Sequence, residues 1–115
     1  MKIILPWPPK ELSPNARSHW SKKAKAAKSY RHACRIITFA SGIKAPDGRV
    51  LLVLEFVPPN RQRRDDDNLV AAFKAGRDGI ADALGIDDSR FTTQFSMRAE
   101  PVKDGAVIVE IREAE

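Results

Sequence analysis

Three consecutive aspartates stand directly behind a cluster of arginines in the stretch NRQRRDDDNL. If the chain is extended there, Asp65 and Asp67 point to one side and Asp66 points away. A second acidic pair, Asp87 and Asp88, follows further along the chain. Two or three carboxylates that meet in one cleft suit Mg²⁺, which prefers oxygen ligands and can activate water for attack on phosphorus.

The aspartates also have simpler interpretations, a helix cap and a solvated acidic turn. Asp66 or Asp67 as an N-cap is worth about 1 kcal/mol, but capping accounts for one aspartate of the three. The Asp87–Asp88 pair alone is typical of a turn. Without a cation, adjacent carboxylates repel each other, and some take up protons or move apart. The residues alone therefore leave a metal site and an acidic turn as open alternatives.

Positive charge is concentrated in the first half of the chain and favours a polyanionic partner. Residues 1–64 hold 14 Lys and Arg against three acidic residues, a net charge of +11, and residues 65–115 hold six against 12, a net charge of −6. No acidic residue occurs between positions 12 and 46. Nucleic acid is the expected partner, and an ordinary solvated helix face is the alternative. The basic residues of this segment that precede Ile36 are Arg17, Lys22, Lys23, Lys25, Lys28, Arg31 and Arg35.

Helices and strands in the order β-α-β-α-β-β must position these residues. They predict an α+β fold in a single domain, residues 1–115, with a mixed sheet and helices packed on it. The apolar run RVLLVLEFV is typical of a central strand covered on both faces. An Asp-Gly pair at 104–105 predicts a hairpin between the last two strands. The predicted elements are a strand at 2–5, a helix at 18–40, a strand at 49–57, a helix at 68–84 and strands at 91–100 and 106–113.

Each predicted helix has one apolar face that we expect to pack on the sheet. Gly85 is expected to end the second helix as a left-handed cap. In the first helix, the apolar face consists of Trp20, Ala24, Ala27, Tyr30, Cys34 and Ile37. In the second helix, it consists of Leu69, Ala72, Phe73, Gly76, Ile80, Ala83 and Leu84.

The composition excludes several classes of protein. Because Cys34 is the only cysteine, neither an intramolecular disulfide nor a cysteine zinc cluster is possible. No apolar run approaches the roughly 20 residues needed to span a bilayer, and we expect a cytoplasmic protein. His19 and His32 lack metal-ligand spacing, and no glycine-rich phosphate loop or nucleophile elbow is present.

Four segments together resemble the RusA family of Holliday-junction resolvases, which are found in phages and prophages. They are LPWPP at the start, Asn15 in the following loop, RRDDDNL at the centre and GIDDSRF after the second helix. The resemblance implies a RusA-like fold and a homodimeric endodeoxyribonuclease that cuts opposing strands of four-way junction DNA in recombination and repair. It further implies Mg²⁺ as cofactor with Mn²⁺ as a substitute, no organic cofactor, no membrane association, and a phage- or prophage-encoded protein in the cytoplasm of a bacterial host.

The family's functional residues carry over to matching positions of this chain. The resemblance implies Asp65, Asp67 and Asp88 as catalytic metal ligands, with Asp87 as a further ligand in support. Asn68 is expected to support the ligands from behind or to cap the helix. The residues expected to contact DNA are Asn15, Arg17, Lys22, Lys23, Lys25, Lys28, Arg31, Arg61, Arg63 and Arg64.

One position departs from the family pattern. The family commonly has a lysine four residues after the second aspartate, where this chain has Ala71. Lys74 falls close to the same helix face and is the expected replacement in catalysis. If neither it nor an arginine supplies this charge, the alternative is a catalytically weak or inactive module that binds junction or duplex DNA. A protein-interaction domain with an acidic face is a third possibility.

Overall fold

The computed structural model describes residues 2–17 and 19–114, and within them the strands form one mixed sheet of four in the order β1-β4-β2-β3. Strand β4 runs antiparallel to both β1 and β2, whereas β3 runs parallel to β2. The parallel pair is joined by a helical crossover, as this connection requires. The strands are β1 (Lys2–Leu5), β2 (Val50–Val57), β3 (Phe91–Met97) and β4 (Ala106–Glu113).

The predicted hairpin between the last two strands is wrong, because β2 lies between them. Val53 is paired with Gln94 of β3 on one side and with Glu110 of β4 on the other. The Asp-Gly turn itself does form, with left-handed φ values of 65° at Asp104 and 69° at Gly105. An Asp-Gly pair in the sequence predicts the local backbone geometry of a turn. Which strands then pair depends on which edge of β2 the chain can reach.

Three helices connect the strands and pack on one face of the sheet: α1 (Trp20–Ala40), α2 (Asp66–Ala72) and α3 (Lys74–Leu84). The single helix predicted at 68–84 is therefore divided at Phe73, whose φ and ψ are −83° and −4°. The Phe73 ring is buried between Tyr30 and Phe56, with edge-to-face centroid distances of 6.2 and 6.0 Å. We attribute the division to this core packing, which overrides a helical pattern that continues through the position. Gly85 ends α3 with a φ of 68°, which confirms the predicted left-handed cap.

The apolar face of α1 is buried in its second half alone. Tyr30 and Cys34 are buried, as predicted, but Trp20 and Ala24 are exposed. No residue at positions 20–29 is buried, and Lys23, Ala26 and Ala27 are half-buried. The prediction of one continuous packed face on α1 is therefore wrong for its first turns.

The described residues form an α+β domain with the mixed sheet and packed helices that the sequence predicts at this level. Its core consists of alternate residues of β1, β2 and β4, together with Phe91 of β3, Phe73 and the inner faces of the three helices. Among the described helices, none combines the length and the apolar character needed to cross a membrane.

Candidate functional site

A cleft of about 420 Å³ lies at the end of the sheet where β1 and β2 finish. The register places Leu5, Val107 and Phe56 side by side across β1, β4 and β2. The segments that follow β1 and β2 therefore emerge at the same end of the sheet. Both segments contribute side chains to the walls, which include Trp7, Pro8, Lys10, Asn15, Arg63, Arg64, Asp65 and Asn68.

Asp65 is the N-cap of α2, so the cap is neither Asp66 nor Asp67. Its Oδ1 atom accepts hydrogen bonds from the backbone N–H groups of Asp67 at 2.9 Å and Asn68 at 3.4 Å. These bonds hold the side chain in one orientation and leave Oδ2 without a protein donor among the described residues. Because Asp66 and Asp67 already belong to α2, the extended geometry predicted for the three aspartates applies to Asp65 alone.

The three arginines that precede the aspartates have different roles. Arg64 donates to the carbonyl oxygens of Asn60 and Gln62 and lies over the Trp7 ring at 5.4 Å, so it stabilises the loop. Arg61 forms an exposed ion pair of 2.8 Å with Glu100. Arg63 lines the cleft and has no hydrogen-bonding partner among the described residues. It is the arginine best placed to receive an anion beside Asp65.

Asp88 lies at the other end of the sheet from the cleft. It precedes β3, whose first residue Phe91 pairs with Val50 at the start of β2, whereas the cleft adjoins the end of β2. The distance along β2 from Val50 to Phe56 is about 20 Å at roughly 3.3 Å per residue. The single chain therefore does not bring Asp88 together with Asp65 and Asp67. Among residues 2–17 and 19–114, no group of three His, Cys, Asp or Glu side chains is close enough to hold an ion.

Arg77 of α3 holds Asp88 in place, and sequence reasoning missed this residue. Its guanidinium donates to Oδ2 and to the carbonyl oxygen of Asp88, both at 3.1 Å, and to Oγ1 of Thr93 at 3.3 Å. It also lies over the Phe91 ring at 5.3 Å. The sequence signal was weak, because Arg77 is one of four charged residues in this helix, with Lys74, Asp78 and Asp82.

Asp87 caps the short 3₁₀ helix at Asp88–Arg90, which leads into β3. Its Oδ2 atom accepts a hydrogen bond of 2.9 Å from the backbone N–H of Ser89. Hydrogen bonds from the side chain and backbone of Ser89 lower the pKa of Asp87 below its usual range. Asp87 thus stays ionised as a capping group, at the same end of the sheet as Asp88.

Lys74 is exposed and begins α3, one turn after Ala71. Its Nζ atom lies 3.3 Å from Oδ2 of Asp78 in an i,i+4 pair. Ala71 is also exposed, so position 71 could accept a longer side chain. Lys74 makes no hydrogen bond or ion pair with any of the predicted metal ligands.

The basic residues of α1 are exposed except for Lys23, which is half-buried, and Arg31 is held in an ion pair. Arg31 donates from Nε and Nη2 to both carboxylate oxygens of Asp82, at 2.7 and 2.9 Å, and so links α1 to α3. This hydrogen-bonded pair raises the pKa of Arg31 and lowers the pKa of Asp82. Four lysines of the surface make no ion pair within the described residues, and we call them the lysine row: Lys22, Lys23, Lys25 and Lys28.

Comparisons with known proteins supply a relative without a stated activity. No model of a protein family matches the chain. An uncharacterized protein of Xylella fastidiosa is 46% identical over 113 residues, which cover 95% of this chain and 74% of the relative. The RusA resemblance therefore remains a prediction from the motifs.

Proposed function

The chain belongs to the same family as the uncharacterized Xylella fastidiosa protein, and because that name states no activity, we propose a function from the cleft. The proposal is a Mg²⁺-dependent, structure-specific endodeoxyribonuclease that resolves four-way DNA junctions by paired hydrolysis of phosphodiester bonds. The resemblance to the RusA family supplies the reaction class and the expected metal ligands, and the lining of the cleft by Asn15, Arg63 and Asp65 supports the proposal.

The observation that carries the proposal is the meeting of two chemically opposite groups in one cleft. Arg63 offers a guanidinium to a phosphate, and Asp65 offers a carboxylate to a cation. Asn15, from the segment that follows β1, adds a neutral amide to the lining of the same cleft. Three of the motifs that resemble the family, distant in sequence, thus line one cavity at the end of β2. A phosphodiester beside a carboxylate-bound cation is the arrangement that metal-assisted hydrolysis requires.

Asp65 in the cleft and Asp67 in the first turn of α2 are the pair of carboxylates that would hold Mg²⁺ in this proposal. Proteins commonly bind this ion through one or two carboxylates, and substrate phosphate oxygens and waters complete its octahedron. Asp65, oriented by its two backbone donors, would hold the ion through Oδ2, and Asp67 in the first turn of α2 would be its second ligand. When bound, the ion would supply an activated water and stabilise the leaving oxygen.

The remaining residues of the site hold the substrate in this proposal. Arg63 binds the phosphate on the side of the cleft that faces the loop, and Arg64 keeps that loop in place by its bonds to Asn60 and Gln62. Lys74 exchanges its exposed pairing with Asp78 for a substrate phosphate. The lysine row contacts the DNA backbone, where each neutralised phosphate adds to affinity and to its salt dependence.

A homodimer is part of the proposal, because a junction with two-fold symmetry presents two strands to cut. Strand β2 has neighbours on both sides and cannot supply the interface by strand pairing, whereas β3 has a free edge. That edge spans seven residues without a charge, and natural proteins usually protect such an edge. Antiparallel pairing of two β3 strands would set the start of one beside the end of the other. Asp88 would then lie toward the cleft of the partner.

Two features favour the second candidate function, a DNA-binding module without catalysis. Asp88 is engaged by Arg77 at 3.1 Å, and position 71 is an alanine. In this alternative, the carboxylates serve as helix and turn caps, and the basic surface alone accounts for binding.

Cleavage of a synthetic four-way junction with Mg²⁺ separates these candidates. We expect paired nicks from the natural protein, none from Asp67→Asn, and unchanged nicking from the matched control Asp66→Asn. Binding of the uncut junction by Asp67→Asn should stay measurable. If the natural protein binds the junction but leaves it intact, the second function is correct. If it has little affinity for DNA even at low salt, both functions are wrong and a protein-interaction domain is favoured.

A further inference from the structure

The exposed half of α1 extends beyond the end of the sheet that carries the cleft. Tyr30 marks the boundary, because its hydroxyl donates to the carbonyl oxygen of Pro6 at 2.5 Å, directly after β1. From Tyr30 onward the helix packs along α3, with Arg31 bonded to Asp82. Residues 20–29 therefore continue in the opposite direction from Tyr30, and none of them is buried.

An aromatic pair stands at the start of this projecting segment. The side chain of Trp20 is 74% exposed, although indole is among the largest apolar surfaces in proteins. The His19 ring lies against it with a centroid distance of 5.6 Å and a tilt of 37°. The Nδ1 atom of His19 accepts a hydrogen bond of 3.2 Å from the backbone N–H of Ser21, which holds the imidazole in place. The indole is thus supported by one ring and open to solvent over most of its surface.

The charge around this pair selects the class of ligand. The lysine row follows Trp20 on the same helix, and no acidic residue occurs between positions 12 and 46. Cations on the same helical segment as a flat, exposed aromatic ring, with Lys23 one turn after Trp20, match a chain of phosphates that carries flat bases. An acidic peptide would match the charge but would leave the indole without a planar partner.

We propose that Trp20, supported by His19, is a stacking surface for an unpaired nucleobase, while the lysine row holds the adjacent phosphates. This inference rests on the proposed function, because it takes DNA as the substrate. It adds that the protein prefers DNA with unstacked bases. A base in a duplex has both faces covered by its neighbours, so Trp20 gains nothing from a continuous duplex. A base released at an opened junction or in a single strand has a free face.

Substitution of Trp20 should weaken the binding of single strands that contain bases and leave the binding of other DNA unchanged. We expect Trp20→Ala to weaken binding of an oligodeoxythymidine roughly tenfold, since aromatic stacking contributes strongly for each base. Trp20→Phe should restore most of the affinity. The matched control is Phe39→Ala, since Phe39 is 75% exposed at the other end of α1 and outside the lysine row. It should leave the affinity unchanged.

Two further probes separate base stacking from charge attraction and from self-association. An oligomer of abasic deoxyribose phosphate has the same charge and no bases, and we expect Trp20→Ala to bind it as the natural protein does. In a Trp7→Phe background, Trp20 is the remaining tryptophan, and the oligodeoxythymidine should quench its fluorescence. Equal losses for the abasic oligomer and the oligodeoxythymidine would overturn the proposal. So would unchanged DNA affinity with an altered oligomeric state, which would assign Trp20 to a contact with a second copy.

The outcomes for Trp20 and for the proposed function can be told apart. If the natural protein cleaves no junction but shows the Trp20 effects, the nuclease proposal fails and the stacking surface stands. If it cleaves junctions and Trp20→Ala binds oligodeoxythymidine normally, the stacking surface fails alone.

Discussion

The guanidinium of Arg77 holds Asp88 by two hydrogen bonds, one to Oδ2 and one to the backbone carbonyl oxygen, each 3.1 Å long. The same group lies over the ring of Phe91, the first residue of β3. Arg77 therefore ties the middle of α3 to the turn that begins the edge strand. Arg77 thus fixes Asp88 at the end of the sheet where the parallel pairing of β2 and β3 places it.

The Arg77–Asp88 pair is expected to be energetically coupled. In a double-mutant cycle of Arg77→Gln and Asp88→Asn, we expect a coupling free energy of unfolding of about 1 kcal/mol, because the side chains are in contact and partly shielded from water. The exposed Arg61–Glu100 pair is the control and should couple by less than about 0.5 kcal/mol. Urea unfolding measures both. Additive effects at Arg77 and Asp88 would show that the contact contributes no stability.

The two roles of Asp65, as helix cap and as metal ligand, can be separated by substitution. Asp65→Ala removes the acceptor for the N–H groups of Asp67 and Asn68 and should lower the free energy of unfolding by about 1 kcal/mol. Asp65→Asn retains a good capping group and should change stability little, while it removes the charge that a cation needs. We therefore expect Asp65→Asn to be folded and deficient in junction cleavage, as measured by thermal unfolding and nicking assays. Full cleavage by Asp65→Asn would limit Asp65 to the cap.

Gly79 permits the close approach of α1 and α3. A Cβ atom at this position would lie 2.3 Å from the carbonyl oxygen of Arg31 and 3.1 Å from the backbone nitrogen of Arg35. Because these are backbone atoms, the helices must move apart, and Gly79→Ala should lower the free energy of unfolding by about 1–3 kcal/mol. At an exposed helical site, the same change would raise stability by up to about 1 kcal/mol. The sign of the shift in the urea midpoint thus tests the helix contact directly.

Stability is expected to fall in base through Cys34. Burial raises the pKa of its thiol from 9.0 to about 11, against the opposing effect of a hydrogen bond with Tyr30. The folded state keeps a proton that the unfolded chain releases, so this contribution is complete below pH 9.0 and is lost as pH rises toward about 11. Urea midpoints across this window should decline more steeply for the natural protein than for Cys34→Ala. Burial also raises the pKa of Tyr30, so Cys34→Ala should retain part of the decline. Identical slopes for the two proteins would contradict the assignment to Cys34.

Local sequence patterns predicted the helices, the strands and several of their ends. The apolar run at 49–57 became the central strand β2, although alternate residues along it are half-buried and the predicted cover on both faces is incomplete. Gly85 became the left-handed cap of α3. These features depend on periodicity and on backbone preferences over a few residues, so they can be predicted from the sequence. The division of the second helix could not be predicted in this way, because it follows from the burial of Phe73 between Tyr30 and Phe56.

The residue types of the candidate site were determined by the sequence, and their grouping was decided by the tertiary structure. Asp65, Arg63 and Asn15 stand out as chemical groups in the sequence, but their meeting in one cleft depends on β1 and β2 ending side by side. Asp88 stands out equally, and the parallel pairing of β2 and β3 places it at the other end of the sheet. Spacing along a chain determines which local structures form, whereas strand order and direction determine which of their ends coincide. The aspartate pairs could therefore be identified from the sequence, whereas their separation in space could be identified only from the tertiary structure.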